Sequence, residues 1–153
     1  MMFIEINGEE KMKTFGESIG SSLRGGEIIE LIGDVGAGKT TLVKGIAAGL
    51  GISENVQSPS FTISRVYKGR DDLTLNHFDF YRLDSAGIMA NELQEIISDP
   101  KAVTIIEWGG VVNGVLPTDR LSVKITSQTE DSRSLELSPC GEVSQKIAEK
   151  LSL

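Results

Sequence analysis

Apolar positions along the chain recur with two periods, and the alternation between them predicts a layered α/β domain. Phe3 to Ile6 reads as a short strand. Met12, Phe15, Ile19 and Leu23 share one face of a helix that Gly25 and Gly26 end. Glu27 to Ile32 is a buried strand, and Leu42, Val43, Ile46 and Leu50 follow at helical spacing with Gly49 and Gly51 as stop signals. At Ser58-Pro59-Ser60 the chain breaks, because a proline and its predecessor are both pushed out of helical geometry. Phe61 to Tyr67 and Leu73 to Phe80 alternate on either side of the polar turn 68–72, so the pair predicts a hairpin. A helix is expected over 84–98, with a possible break at Ala90-Asn91.

Val103 to Ile106 is short and apolar throughout, the pattern of a strand covered on both faces. Residues 109–116 read as loop. Leu121 to Thr126 and Arg133 to Leu137 alternate as two further strands, and Val143, Ile147 and Leu151 mark a C-terminal helix. Strands and helices in this order predict a single-domain, three-layer α/β fold over 1–153, with a mixed β-sheet flanked by helices.

Composition narrows the picture only slightly. The chain has 153 residues, 39% hydrophobic and 24% charged, which suits one ordinary globular domain. No apolar run approaches a membrane span and no basic-then-apolar leader opens the chain, so the expected location is cytoplasmic. Cys140 is the single cysteine and His77 the single histidine, which excludes an internal disulfide and a histidine-rich metal centre. The net charge of −7 disfavours tight direct binding of nucleic acid, since phosphate neutralisation needs a basic face.

Candidate chemistry is concentrated in Gly33-Asp34-Val35-Gly36-Ala37-Gly38-Lys39-Thr40, which fits the phosphate loop G-x-x-x-x-G-K-[ST]. Its glycines permit close backbone approach, so that successive N–H groups face phosphate oxygens. The helix beginning near Lys39 adds the positive end of its dipole. Lys39 supplies a mobile charge for the outer phosphates, and the Thr40 hydroxyl suits Mg²⁺. A strand before the loop and a helix after it are the context this motif requires.

Three further segments could serve such a site. Ser58-Pro59-Ser60-Phe61-Thr62 is either a hydroxyl-bearing switch or an ordinary Ser-Pro turn. In His77-Phe78-Asp79-Phe80-Tyr81, the two Phe side chains face the core and His77, Asp79 and Tyr81 the other side. Asp79, at the end of an apolar strand, is a second metal-side candidate, and His77 reads as a hydrogen-bonded structural residue. Glu107 closes the buried run on the side where open α/β sheets bind ligands, and a buried carboxylate calls for a cation such as Mg²⁺. Trp108 packs over the nucleotide, at a partner surface, or at the edge of the core.

Taken in order, GDVGAGKTT at 33–41, SPSFT at 58–62, HFDFYRL at 77–83 and IIEW at 105–108 closely resemble the bacterial TsaE (YjeE) family of small P-loop ATPases. Glu9, Thr14 and Gly16 near the start, and Leu116-Pro117, Asp119-Arg120-Leu121 and Arg133 later, fit its pattern too. Ser60 stands where that family usually has Thr, which keeps the hydroxyl. The resemblance implies a P-loop NTPase fold that binds ATP and Mg²⁺ and hydrolyses ATP slowly. It implies docking onto the TsaD–TsaB complex, which threonylcarbamoylates adenosine 37 of tRNA, with turnover resetting that complex between rounds. tRNA would then be met mostly through the partner proteins. Carried over by motif, phosphates fall to Lys39 and the backbone of Asp34, Val35, Gly36, Ala37, Gly38, Thr40 and Thr41, and Mg²⁺ falls to Thr40 and Glu107 with Asp79 beside it. Lys39, Asp79 and Glu107 form the implied catalytic set, with the division between the two acids open. Thr62 is implied in a switch, Glu9 and Thr14 near the adenine, and Trp108 and Arg133 at the nucleotide. Arg82 and Arg65 are possible arginine fingers, or a partner supplies one in trans.

A small-molecule kinase is the rival enzyme class, although the region after Tyr81 offers mainly Arg82 for a lid. A nucleotide-gated adaptor with incidental hydrolysis is the other alternative. A GTPase is disfavoured, because no Asn-Lys-x-Asp segment occurs in the chain.

Overall fold

The run of apolar residues at 102–107 becomes the strand around which the domain is built. In a computed structural model, which describes residues 2–34, 36–59, 63–81, 87, 89–112 and 114–151, all six residues of Ala102–Glu107 are buried. In chain order the elements are β1 (Met2–Asn7), α1 (Glu9–Ser22), β2 (Ile28–Ile32), α2 (Lys39–Gly49), β3 (Ser64–Lys68) and β4 (Thr74–Asp79). They continue as α3 (Met89–Ile97), β5 (Ala102–Glu107), β6 (Leu121–Ser127), β7 (Ser132–Pro139) and α4 (Glu142–Lys150). The strands form one sheet in the order β1-β7-β6-β2-β5-β4-β3. The inner strands β6, β2, β5 and β4 run parallel, while β1, β7 and β3 add antiparallel edges. The expected hairpin is present as the β3–β4 pair.

Helices cover both faces, which makes three layers. On one face α1, α2 and α4 bury Met12, Ile19, Leu42, Ile46 and Ile147 against Ile29, Leu31, Val103 and Val123 of the sheet. On the other, α3 packs Leu93 against Phe78, Ile106 and Ile28, with Phe80 in the same cluster. Both Phe rings thus lie in the core, their centroids 5.6 Å apart.

The helix that follows the glycine bend is held by an unusually close neighbour. A Cβ added at Gly16 would stand 2.6 Å from the Leu42 carbonyl oxygen and 2.9 Å from the Gly45 Cα. Gly20, Gly45 and Gly49 meet backbone atoms of the opposite helix just as closely. Glycine costs a helix interior about 0.5–1 kcal/mol relative to alanine, and here backbone-to-backbone contact between α1 and α2 offsets it.

Four details differ from the sequence expectations. Strand β3 begins at Ser64 and not at Phe61, since Ile63 takes φ 68°; of the helix expected over 84–98, Met89–Ile97 is described, and it runs through Ala90-Asn91 without a break. Residues 82–86 and 88 lie outside the described residues. The loop 109–116 contains a 3₁₀ turn, Gly109–Val112, anchored by the buried Val112 and Leu116. Val143 is exposed; α4 seats itself through Ile147, Ala148 and Leu151, while its first turn is fastened by Asp119. Among the described residues no helix is long and apolar enough to cross a membrane.

Candidate functional site

The carboxyl ends of β2, β5 and β4 stand side by side, and β4, β5 and the bend that follows β2 deliver residues to one cavity of about 390 Å³. That volume falls in the ordinary range for small-molecule sites, about 300–1,000 Å³. β2 runs into the glycine bend, where Gly36 (φ 83°) and Gly38 (φ 107°) take left-handed conformations that a side chain resists. Gly38 is the residue before α2, and no side chain caps that helix, so its first N–H groups stay available to an anion. Gly36, Gly38, Lys39, Thr40 and Thr41 all line the cavity.

Lys39 is almost fully buried. Its ammonium donates to the Gly33 carbonyl at 2.6 Å and lies 3.8 Å from Glu107 Oε1. The Trp108 ring covers it, with Nζ 4.6 Å from the ring centroid. Glu107 therefore has two cationic or polar companions within the protein, Lys39 and His77, besides any metal that enters. His77 is fully buried, and its Nε2 lies 2.6 Å from Glu107 Oε2.

Register brings the second acid to the first. Asp79 of β4 pairs with Glu107 of β5 in a parallel ladder, so both carboxylates leave the same face at the same end. Asp79 is buried, lines the cavity, and accepts the Tyr81 N–H through Oδ1 at 3.0 Å. Trp108 has φ 57°, which is rare for a bulky residue, and this turn sends its ring out of the strand over Lys39 and against Tyr81. At 38% exposure it stands at the cavity mouth and does not seal the core. Left-handed backbone of this kind costs on the order of 1–3 kcal/mol and clusters at functional sites.

The opposite wall comes from the β1–α1 and β6–β7 turns. Gly8 and Glu9 open α1, and the Gly8 N–H donates to the Asp131 carbonyl at 2.7 Å in the β6–β7 turn. Arg133 also lines the cavity, but its guanidinium is engaged with backbone. Nε donates to the Ala37 carbonyl at 3.0 Å, and Nη1 to the carbonyls of Thr129, Glu130 and Ser132 at 2.9–3.2 Å. Arg133 thereby ties the glycine bend to the β6–β7 turn.

Most of the expected residues converge and a few do not. Glu9, Lys39, Thr40, Asp79, Glu107, Trp108 and Arg133 share the cavity. Asp34 and Ala37 lie on the far side of the bend, beside Lys124 and Thr126 in a second groove. Thr14 is exposed on α1, where its hydroxyl donates back to the Glu10 carbonyl, and it does not line the cavity. Val35 and Thr62 lie outside the described residues; of the 58–62 segment, Ser58 reaches the cavity wall. Met12, Tyr81, Glu130 and Asp131 also line the site without having been expected there. Tyr81 follows Asp79 by strand alternation, whereas Glu130 and Asp131 are brought in only by the β6–β7 turn, which no local motif marks.

The donor set offers a hydroxyl at Thr40 and carboxylates at Asp79 and Glu107, hard oxygens of the kind Mg²⁺ prefers. Among the described residues no group of three or more His, Cys, Asp or Glu side chains is arranged to hold a metal unaided.

Strand, glycine bend and capless helix, flanked by acids on the neighbouring parallel strands, define a P-loop protein of the α/β class. A sequence model described as "Threonylcarbamoyl adenosine biosynthesis protein TsaE" matches residues 6–135. The tRNA threonylcarbamoyladenosine biosynthesis protein TsaE of Bacillus subtilis is 33% identical, over 96% of this chain and 90% of its own length. The protein of the same name from a Nostoc species is 36% identical over 91% and 86%. The crystal structure of YdiB from Bacillus subtilis superposes with a TM-score of 0.81 and 30% identity, covering 98% of this chain and 93% of that one. This chain belongs to the TsaE family.

Proposed function

We propose that the protein is a Mg²⁺-dependent ATPase of tRNA threonylcarbamoyladenosine biosynthesis. It binds ATP in the cavity beside the glycine bend and hydrolyses it slowly. It works with the TsaD–TsaB complex, which modifies adenosine 37, and its turnover resets that complex between rounds. The observation that carries the chemistry is the convergence of Lys39, Thr40, Asp79 and Glu107 on one cavity at the carboxyl edge of the sheet. Family membership carries the pathway.

The amides of Gly36 and 38–41 at the start of α2 hold the β- and γ-phosphates, and Lys39 exchanges the Gly33 carbonyl for a phosphate oxygen. Thr40, Glu107 and Asp79 would hold Mg²⁺, which when bound supplies positive charge that offsets the charge on the phosphates. The two acids divide the remaining work, positioning the attacking water and keeping the cavity polar on one side. Trp108 and Tyr81 shield the mouth from bulk solvent. Catalysis of this type rests on positioning and charge, and among the described residues the one arginine lining the cavity, Arg133, is engaged with backbone carbonyls, so turnover without a partner is slow. The chain's acidity is consistent with tRNA being held by the partner proteins.

Phosphate release from ATP tests this reading. The isolated protein should turn over well below about 10 s⁻¹, a typical enzyme rate. Addition of TsaD–TsaB should stimulate it, and Lys39→Ala should abolish it in both settings. Fast hydrolysis without partners, or transfer of the phosphoryl group to a small acceptor, would contradict it.

A further inference from the structure

We infer that His77 is a positioning residue that aims Glu107 at the cavity and so sets the protein's grip on the nucleotide's Mg²⁺. The inference rests on the proposed Mg²⁺–ATP site and adds a residue to it. His77 lies on β4 opposite Ile105, one diagonal step from Glu107 on the same face of the sheet. It is fully buried and does not line the cavity, so it can act only through another group.

That group is Glu107. Oε2 of Glu107 lies 2.6 Å from His77 Nε2, while Oε1 lies 3.8 Å from the Lys39 ammonium. Fixing one carboxylate oxygen removes free rotation about the last side-chain bond, and the direction of the other oxygen is then determined. Hydrogen bonds of this kind behind a ligating carboxylate orient it and tune its affinity. Core-filling does not account for the imidazole. His77 Nδ1 has no hydrogen-bond partner among the described residues, and a buried unpartnered ring nitrogen costs free energy that an apolar side chain of similar size would avoid. The bond to Glu107 is what the imidazole supplies and a leucine would not.

Because His77 is the single histidine, its ring nitrogens give the only imidazole signals in a long-range ¹H–¹⁵N spectrum of the intact chain. With a non-hydrolysable ATP analogue already saturating, addition of Mg²⁺ should shift the Nε2 resonance. An unmoved resonance would overturn the inference without any need for a variant. Calorimetry supplies the second arm. His77→Leu should weaken binding of the Mg²⁺–analogue by about 10–100-fold, yet leave binding of the analogue in EDTA within a few-fold. His77→Gln, which can return an N–H toward Glu107, should recover most of the loss; equal losses in Leu and Gln variants would contradict the inference. Glu107→Ala separates the two layers. If it loses metal dependence while His77→Leu keeps it, the positioning role fails and the site stands; if both keep it, the Mg²⁺ site itself fails.

Discussion

The two faces of the sheet are built on different principles. On the α1–α2 face, glycines at 16, 20, 45 and 49 bring two helix backbones into direct contact, and the second of those helices begins at Lys39. On the α3 face a single helix rests on side chains, with Leu93 its one buried residue and Met89, Ile96 and Ile97 partly covered. Backbone contact leaves no rotamer to adjust, whereas a side-chain layer can repack around a lost methyl group. The difference teaches where positional accuracy is invested: at the four glycines of the face that carries the helix beginning at Lys39 an added Cβ would meet backbone, whereas on the other face a lost methyl group would leave only side chains beside it.

Substitutions on the two faces should therefore separate stability from binding. Gly20→Val has the largest expected effect, because its side chain would collide with the Ile46 carbonyl. A loss of about 3 kcal/mol or more in chemical denaturation is expected, together with loss of nucleotide binding. Leu93→Ala should cost about 2–3 kcal/mol by opening a cavity, while calorimetric binding of Mg²⁺–ATP stays within twofold. Equal loss of binding in both variants would erase the contrast.

Arg133→Lys sharpens it further. A lysine cannot reproduce the fork that joins the Ala37 carbonyl to the β6–β7 turn, so nucleotide affinity should fall about tenfold, about 1.4 kcal/mol, with little change in global stability. The smallest effect is expected far from the site, at the start of α4. There burial works to raise the Asp119 pKa, but hydrogen bonds from the Ser144 N–H and hydroxyl and the Val143 N–H prevail and hold it below the usual carboxylate value. A group with a depressed folded-state pKa adds stability above its unfolded pKa of about 3.9, and that stability is lost as pH falls through the folded value. Unfolding curves for wild type and Asp119→Asn should differ at pH 6 and converge in acid below about pH 4, the gap at pH 6 being about 1 kcal/mol. A gap independent of pH would contradict the assignment.

Legibility in the sequence followed locality. The strand–bend–helix at 28–49 was readable because the glycines, Lys39 and Thr40 are contiguous and their chemistry dictates the spacing. Glu107 and Asp79 were readable as strand-end acids, although their adjacency depended on the β4–β5 register, which no local pattern encodes. Gly16 and Gly20 interrupt a helical stripe and look like weak points until α2 is laid against them. Arg133 and Ala37 lie far apart in sequence, and the bond between them exists only because β6 and β7 close beside the glycine bend. His77 reads as structural from its strand alone; the bond to Glu107 emerges only when two strands are aligned.

Titration calorimetry with Mg²⁺–ATP, run on wild type and on Lys39→Ala under identical conditions, addresses the site most directly. Wild type should bind one equivalent. Lys39→Ala, still showing a cooperative unfolding transition, should lose at least tenfold in affinity because the bound phosphates have no ammonium to meet. Equal affinity in the two proteins, or no binding by wild type, would contradict a phosphate site at the glycine bend.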